Sequence, residues 1–592
     1  MFRRQEDALN PDPQYPANLK ELGYFVDNDG IIRNIGAPEH TFDFFYTNSD
    51  RHNEVRGEAM RVCQIEEVMK RLSALGLKEL YLPTLSNSKP NSPHIPILAP
   101  ATEVLKTRKR VVVIINDDTF QDLGILAYRE LQRERGLNGA TVVNFAKELA
   151  SRSRTNMDAT LKEKLAKDGA GIDNDEHIPG LIVLNTGQLL YSHKFNKALS
   201  IRSWTALPRK SITHDAVMIH PVENRVEGHQ TPQEHIKTAF NTVIKNPDLV
   251  SPEAEVYVIA IENGAEKLID VLNQDFHQYS KHITALAVIH SSLSSCHIRD
   301  PEVKAFLHAR ARHWECSRFR GSGPSQCNGL PLDYNSKAVS RQTDYTESID
   351  WLEVLRGGID KRVDNPFTND SATKPATVTK EATINYDDWQ DVDPICPTFG
   401  GGDSWVGECV FTQRIVQEAV LKFFEDVARD PKGYCNPPFS LVSLDPSPAN
   451  PLTLSADSAL DTLPDEMLNP EQQAVLTTQA ELDYLKTSYH ATPHDDPELV
   501  PGLQRLQGLI TSKEAELKEL EKKALAGGAL GAGAAPEVRD SWQNTDGEKW
   551  TEMKPGPKID FAGVKADGDM VKSAGCLETV EEELAKLDME ED

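Results

Sequence analysis

One stretch of the sequence has the residue pattern of a reactive turn. Val256–Ala265 reads V-Y-V-I-A-I-E-N-G-A, a run of β-branched and aromatic residues that passes through a short polar turn into a predicted helix. A strand, a sharp turn and a helix in this order make the nucleophile elbow G-x-S-x-G, which exposes a serine for attack on a carbonyl. Aligned on the turn, Asn263 takes the nucleophile position and is flanked by Glu262 and Gly264.

The backbone of this turn can form, but the residue at its centre cannot carry the chemistry. Asn adopts positive φ angles more readily than most residues, and the following Gly264 eases a tight turn. A carboxamide, however, has no ionisable oxygen that could attack a substrate. The same pattern also fits an ordinary strand–helix turn in a Rossmann-like sheet, so both interpretations stay open at this point.

The other members of a catalytic triad are missing from the places where they are expected. In hydrolases with this elbow, the nucleophile is followed in the chain by an acid and then by a histidine. No histidine lies between His313 and His490, so the late loop Gly400–Glu408 contains none. We therefore expect no catalytic residue, and a degenerate site whose elbow and triad positions are Glu262, Asn263, Gly264, His290 and Glu408.

A rearranged serine site is the alternative. Ser291 and Ser292 follow His290 at the end of a predicted strand, and a histidine can activate a serine as a general base. Adjacent residues on a strand point to opposite faces, however, so closeness in sequence does not bring the imidazole to either hydroxyl. An esterase-like hydrolase that uses Ser291 or Ser292 is the second interpretation.

The sequence indicates neither a cofactor nor a metal site. Its histidines and cysteines lack any compact zinc-ligand spacing such as a C-x-x-C pair. No G-x-x-x-x-G-K-[ST] phosphate loop is present either. We therefore expect no bound cofactor and no metal.

Alternating strands and helices predict an α/β fold. Continuous apolar runs are typical of strands that are buried on both faces of a sheet, and they occur at 110–115, 181–184, 256–261 and 283–289. Helical patterns lie between and after these runs, at 123–135, 265–276, 301–313 and 415–427. Strand, helix, strand at this spacing indicates βαβ units, and hence a mostly parallel sheet flanked by helices.

Composition divides the chain into parts. Residues 431–592 carry 31 acidic and 14 basic side chains, a net charge of −17 out of −27 for the 592-residue chain. We expect a flexible arm at 1–15, an α/β domain at 16–430 with a disordered, low-complexity insertion at 320–395, and an acidic, mostly disordered and partly helical region at 431–592. Leucines at heptad spacing leave open a short coiled coil at 499–525.

Charge also restricts the class of partner. Binding to duplex nucleic acid depends on clustered basic residues, and this chain has 64 basic against 91 acidic residues, so we expect no direct double-stranded nucleic acid binding. No run of 18 apolar residues predicts a membrane-spanning helix, and no apolar signal segment follows the first residues. With eight irregularly spaced cysteines, this favours a nuclear or cytoplasmic protein that is not secreted.

Three segments, in this order, resemble one protein family. Leu22–Arg33 reads L-G-Y-F-V-D-N-D-G-I-I-R, Ile283–Ser291 is followed by R-A-R-H-W at 310–314, and Cys396–Gly402 precedes E-C-V-F at 408–411. Together they resemble the argonaute-binding protein two domain over roughly residues 16–430. Some members have serine in the elbow, written about A-H-S-x-G, where this chain has Ile261–Ala265.

The resemblance implies an α/β-hydrolase-like fold and a fungal member of this family. The partners that it implies are argonaute, the subunits of its small-RNA chaperone complex and chromatin-silencing proteins. With a degenerate elbow, the leading hypothesis is a non-catalytic interaction module in a nuclear, argonaute-linked heterochromatin complex. The alternatives are the serine hydrolase near His290, Ser291 and Ser292, and a cytoplasmic structural scaffold.

Overall fold

A computed structural model describes residues 9–119, 121–133, 135–153, 178–293, 297–316, 395–402, 406–436, 470–526, 558–561 and 564–567. The chain divides into two compact units. The first comprises residues 1–459 and 478–515, and the second comprises residues 460–477 and 516–592. The insertion expected at 320–395 lies outside the described residues except for its last position.

An eight-stranded sheet forms the centre of the first unit. The strands of this unit are β1 Tyr24–Val26, β2 Ile32–Asn34, β3 Leu77–Leu82, β4 Ile95–Pro100, β5 Arg110–Ile115, β6 Gly180–Val183, β7 Leu190–Ser192, β8 Lys197–Leu199, β9 Glu255–Ile261, β10 Ala285–Ile289, β11 Ala311–Glu315 and β12 Thr398–Gly400. The large sheet has the order β12-β11-β10-β9-β5-β6-β4-β3, and β1-β2 and β7-β8 form two small hairpins.

The strand directions give this sheet a mostly parallel topology. All neighbours from β12 to β6 are parallel, whereas β4 is antiparallel to both β3 and β6. Along the sheet, β6 lies between β4 and β5, so β5 and β6 are exchanged relative to their order in the chain. This exchange, together with an antiparallel second strand β4, is the arrangement of α/β-hydrolase-like sheets. The predicted fold class is confirmed.

Helices cover both faces of the sheet. The helices with residues in the first unit are α1 Asp50–Ala74, α2 Thr102–Leu105, α3 Tyr128–Leu131, α4 Gly136–Gly139, α5 Val142–Ser153, α6 Ile201–Thr205, α7 Pro232–Ala239, α8 Asn263–Gln274, α9 Phe276–Ser280, α10 Pro301–Arg310, α11 Arg414–Arg429, α12 Pro470–Ala491 and α13 Val500–Ala526. A π-helical segment Phe240–Ile244 extends α7, and 3₁₀ turns form at Gly407–Thr412 and Pro497–Leu499.

Alternate residues of each central strand face two separate hydrophobic cores. Val112 and Ile114 of β5 pack with apolar residues of α1, α5 and α11. Val111 and Val113 face the other way, toward residues of α7, α8 and α10. Because both faces are covered, the central strands read as continuous apolar runs, and this is why the sequence revealed them.

Local sequence signals explain where α7 begins and where α1 ends. The Thr231 side chain caps α7 by accepting a hydrogen bond from the backbone N–H of Glu234 at 3.2 Å, as the T-P-Q-E pattern indicates. Helix α1 stops at Gly76, which has a φ of +84° that glycine adopts without strain.

The structure differs from the sequence prediction in two helices. The helix expected at 123–135 is replaced by the single turn of α3, with α5 following later in the chain. The helix expected at 301–313 ends at Arg310, and β11 begins at the next residue. Trp314 explains why the second helix ends early. Its side chain is fully buried and stacks on Phe399 at a centroid distance of 5.6 Å, and it reaches this position as part of β11.

Residues 9–15 are anchored, which corrects part of the flexible arm expected at 1–15. Asp12 forms a 2.7 Å ion pair with Arg51 of α1, and both side chains are 6% exposed. The backbone N–H of Arg209 donates to the same carboxylate at 2.9 Å. This buried carboxylate accepts hydrogen bonds from both Arg51 and Arg209, and it thereby holds residues 9–15 against α1. Residues 1–8 lie outside the described part of the chain.

Residues 478–515 belong to the first unit, which corrects the expectation that 431–592 is one appendage. Arg33 of β2 is 2% exposed and forms a 2.5 Å ion pair with Asp27. Its Nη1 donates to Ser488 Oγ of α12 at 3.0 Å. Arg505 of α13 donates to Glu39 at 2.6 Å. These bonds attach the helical pair to the N-terminal hairpin, so 478–515 completes the fold.

The second unit is described only in part. It holds the outer portions of α12 and α13 and a hairpin of β13 Lys558–Phe561 with β14 Val564–Asp567. The coiled coil proposed for 499–525 coincides with α13, but the coiled coil itself stays a prediction. No helix in the described residues has the length and apolar character that a membrane span requires.

Replacing Arg33 should loosen the N-terminal hairpin and the helical pair together. Arg33→Met leaves the buried Asp27 carboxylate without its partner, and we expect the free energy of unfolding to fall by about 3–5 kcal/mol. Urea denaturation of the full chain measures it. The matched control is Arg414→Met, whose exposed i,i+4 pair with Glu418 should change stability by less than about 0.5 kcal/mol. Equal losses in both variants would contradict this account.

Candidate functional site

The strained turn of the sheet is centred on Glu262. Strand β9 ends at Ile261, Glu262 has φ 46° and ψ −123°, and α8 begins at Asn263. A positive φ at a non-glycine residue between a buried strand and a helix is the backbone of a nucleophile elbow. The structure therefore corrects the alignment by one position, because Glu262 rather than Asn263 occupies the nucleophile position.

Two small residues flank this turn at the correct spacing. Ala260 lies two residues before Glu262 and Gly264 lies two residues after it, which fits the outer glycines of G-x-S-x-G. A Cβ on Gly264 would lie 2.5 Å from the carbonyl oxygen of Asn116 and 2.7 Å from that of Ile115. Only glycine fits such a close approach to backbone. Aligning the sequence on Ala260 and Gly264 would have found the centre of the turn.

His290 and Gly407 lie against the carboxyl group of Glu262. His290 follows β10, also has a positive φ of 43°, and accepts a hydrogen bond at Nδ1 from the backbone N–H of Cys316 at 3.3 Å. A side chain at Gly407 would collide with both the imidazole of His290 and Oε1 of Glu262. The late loop therefore comes close to the elbow through glycine, at the end of the sheet where a hydrolase places its histidine.

Three acidic side chains meet at this edge of the sheet. Burial, together with the negative charges of Asp117 and Glu408, raises the pKa of Glu262 to about 7. Burial also raises the pKa of Asp117 and that of Glu408. Burial lowers the pKa of His290, so its ring favours the neutral form beside them. We call the carboxyl groups of Glu262, Asp117 and Glu408, together with the carboxamide of Gln121, the elbow carboxyl cluster.

Gln121 joins the late loop to the loop that follows β5. Its Nε2 donates to Oε2 of Glu408 at 3.1 Å. The loop itself is fixed from several sides, since the Asn116 side chain donates to the carbonyl of Ile125 at 2.6 Å and Thr186 donates to the carbonyl of Asn116 at 2.8 Å. Sequence reasoning missed Asp117 and Gln121. Their signal was a polar run directly after a buried strand, at the carboxyl edge where ligands bind in open α/β sheets.

Asn263 has a positioning contact. Its Nδ2 donates to Oγ1 of Thr119 at 3.0 Å, which ties the first turn of α8 to the β5 loop. Asn263 is the first residue of α8, and the strained residue of the turn is Glu262. The Asn263 side chain therefore does not occupy the nucleophile position.

Neither candidate serine is paired with His290 in this structure. Ser292 donates to Oε1 of Glu266 at 2.9 Å, and the buried Oγ of Ser291 has no hydrogen-bond partner among the residues that the structure describes. The backbone N–H of Ser291 instead donates to Nε2 of His313 at 3.2 Å. The nucleophile–base contact that a serine hydrolase needs is therefore not formed by these side chains.

The chemistry available to this arrangement is proton exchange and binding through acceptors. A carboxyl group with a pKa of about 7 can hold or release a proton near neutrality. In the described part of the chain, no group of three or more His, Cys, Asp or Glu side chains has the geometry to hold a metal ion.

The close approach at Gly264 gives a direct test of the elbow geometry. Gly264→Ala should lower the free energy of unfolding by about 1–3 kcal/mol, because its Cβ meets backbone atoms that cannot move aside. Gly508→Ala is the matched control, since nothing lies within 4 Å of its Cβ in α13, and this change should stabilise the chain by about 0.5–1 kcal/mol. Thermal unfolding of both variants measures the difference, and a neutral Gly264→Ala would rule out the tight turn.

The Arb2 domain family matches residues 15–319, just over half of the chain. The match includes the N-terminal hairpin, the elbow at Glu262 and the histidine that follows β10. No curated protein matches the chain, and no solved structure does. On the extent of the family match, the chain belongs to the Arb2 domain family.

Proposed function

We propose that this Arb2 domain is a non-catalytic, α/β-hydrolase-like interaction module of a nuclear, argonaute-linked small-RNA silencing complex. One observation carries the non-catalytic part: the elbow presents Glu262 where an acyl-transfer enzyme needs a hydroxyl or thiol beside a base. The turn thus keeps the backbone of a reactive site without its nucleophile.

A carboxylate nucleophile does not rescue hydrolysis in this geometry. On an acyl substrate such a nucleophile expels the alcohol and forms a mixed anhydride, which a base-activated water must then cleave. Residues 401–412 contain no histidine for that step, and His290 Nδ1 accepts from the Cys316 backbone. Glu262 is also partly protonated at neutral pH, since its pKa is raised to about 7, and a protonated carboxyl group is a poor nucleophile.

The family and the charge of the chain support a protein partner. The family name points to an argonaute-related setting, and the chain carries a net charge of −27. Surfaces that bind nucleic acid are basic, so an acidic module complements a protein of that kind better than it complements the nucleic acid. We infer a nuclear location from the same setting. A cytoplasmic structural scaffold is the alternative that partner identification distinguishes.

The first test concerns catalysis. The wild-type chain should not react with a fluorophosphonate probe, because neither Ser291 nor Ser292 is hydrogen-bonded to the imidazole of His290 that would have to activate it. Asn263→Ser should stay unlabelled as well, since this position lies in α8 and not at the strained residue. Intact-protein mass spectrometry reads out the adduct, with a known serine esterase as the positive control. Stoichiometric labelling of Ser291 or Ser292 would establish the hydrolase alternative instead.

The second test concerns the partner. A chain that ends at Ala526 keeps residues 478–515 but lacks 527–592, which carry 16 acidic and 7 basic residues. We expect both this chain and the full chain to retain argonaute or its complex subunits from nuclear extract. Association of the shorter chain should be slower at low salt, because long-range charge acts mainly on the encounter rate.

The control for this test is Arg33→Met, which weakens the fold without changing the charge at the elbow. Binding should fall with its folded fraction and no further. If neither the full nor the shortened chain retains argonaute at low or at physiological salt, the proposed role is wrong and only the family assignment stands.

A further inference from the structure

A cavity of about 300 Å³ lies where three parts of the first unit meet. The N-terminal hairpin forms one side, the end of α3 with the residues after it forms the second, and α12 forms the third. We call this space the hairpin cavity, and its lining consists of Ile31, Arg33, Thr41, Glu130, Arg133 and Tyr484. Its volume is at the lower end of the range for small-ligand sites, so it suits one small group.

A buried guanidinium forms part of this lining. Arg33 is 2% exposed. Its Nε donates to Asp27 at 2.5 Å, and its Nη1 donates to the carbonyl of Pro38 and the hydroxyl of Ser488, each at 3.0 Å. Within the described residues no acceptor meets its Nη2, which is therefore the donor that Arg33 has left for the cavity. Buried polar groups are normally hydrogen-bonded, so this nitrogen indicates an acceptor from outside the chain.

A second guanidinium marks the open side of the cavity. Arg133 is exposed, in contrast to Arg33, and its side chain forms no ion pair or hydrogen bond with any residue that the structure describes. Glu130, the acidic residue of the lining, is already paired with Arg135 at 3.2 Å. Because Asp27 likewise neutralises Arg33, the lining has a positive charge at Arg133 that no described carboxylate balances.

The other lining residues add a hydroxyl and apolar surface. Thr41 pairs with Arg33 in an antiparallel bridge, and residues opposite each other in such a pair project to the same side. Ile31 and the ring of Tyr484 are apolar, and the Tyr484 hydroxyl is already committed to the carbonyl of Glu39 at 3.0 Å. The hairpin cavity therefore offers hydrogen-bond donors next to apolar side chains.

This lining favours a carboxylate over other charged groups. A carboxylate carries one negative charge and accepts short, strong hydrogen bonds from guanidinium groups. A phosphate dianion brings a second charge, for which the lining has no free cation, and Glu130 would repel it. A cation would be repelled by both arginines. The apolar surface of Ile31 and Tyr484 further favours a carboxylate that is attached to a small apolar body.

We propose that the hairpin cavity binds the carboxylate of a small apolar ligand through Nη2 of Arg33 and the guanidinium of Arg133. The cavity shares no residue with the elbow carboxyl cluster, and the proposal does not depend on argonaute as the partner. A free acid, the end of a peptide chain and an acidic side chain all present this chemistry, and the experiment separates these sources.

The experiment titrates the full chain with three acids and their amides by saturation-transfer NMR. The acids are 4-methylpentanoate, N-acetyl-leucine and N-acetyl-glutamic acid methylamide, which represent the free acid, the chain end and the side chain. For probes of about 8–14 non-hydrogen atoms we expect millimolar dissociation constants. At least one acid should bind while its amide does not, and the acid that binds most tightly identifies the source.

Salt should weaken this binding in the wild-type chain. Arg133 is exposed, so its attraction to the carboxylate is screened by mobile ions. Raising the salt concentration from about 20 mM to about 300 mM shortens the Debye length from roughly 20 Å to roughly 6 Å. We expect the dissociation constant of the bound acid to rise over this range.

Side-chain variants assign the binding to the cavity. Arg133→Gln should weaken the favoured acid about tenfold, as the loss of a charged hydrogen-bond partner does. Thr41→Val, which removes only the hydroxyl, should weaken it about threefold. Arg33 is kept because its replacement loosens the fold. The control is Arg414→Gln, which removes the same charge from an exposed arginine of α11 and should change nothing. Circular dichroism and thermal unfolding show whether each variant is folded.

Four results would overturn the proposal. They are binding of an amide as tight as that of its acid, equal weakening by Arg133→Gln and Arg414→Gln, displacement of the acid by inorganic phosphate at equal concentration, and no binding of any of the three acids to the wild-type chain.

Discussion

The rest of the site depends on the backbone of Glu262. Its strained conformation, of the kind that costs about 1–3 kcal/mol, is held because β9 is buried along its length and because the Glu262 N–H donates to the carbonyl of Ile289 at 2.8 Å. Gly264 then lets α8 approach the carbonyl oxygens at the end of β5. With this angle between strand and helix set, the Glu262 side chain must leave the sheet at the edge where Asp117, His290 and Glu408 also lie.

Much of this architecture could be predicted from sequence because its causes are local. Central strands buried on both faces need continuous apolar runs, and the cap at Thr231 needs only four consecutive residues. The centre of the elbow was displaced by one residue for a physical reason. Asn is a better residue than Glu for positive φ, so propensity favoured Asn263, whereas the packing of Gly264 on β5 placed the strain at Glu262.

What the sequence could not predict depends on contacts between distant residues. The negative charge of 431–592 suggested an appendage, yet Leu499 and Leu506 are buried and Ser488 meets Arg33. Average composition hides a few buried leucines in an acidic segment. Asp117 and Gln121 were missed in the same way, because they lie on a loop that only the folded sheet brings to Glu408.

The cluster also carries a cost in stability that has to be explained. A carboxyl group whose pKa is raised on folding makes its full contribution to folding stability below its unfolded pKa. That contribution is lost as the pH rises through the folded pKa, which for Glu262 means between about 4.5 and about 7. At neutral pH the ionised cluster therefore works against the fold. A hydrophobic or neutral side chain at the turn would avoid this penalty. Groups held at such a cost at the carboxyl edge of a parallel sheet are characteristic of functional sites. The strained turn therefore carries an electrostatic cost at Glu262 in addition to its conformational cost, and neither of the two costs helps the chain to fold.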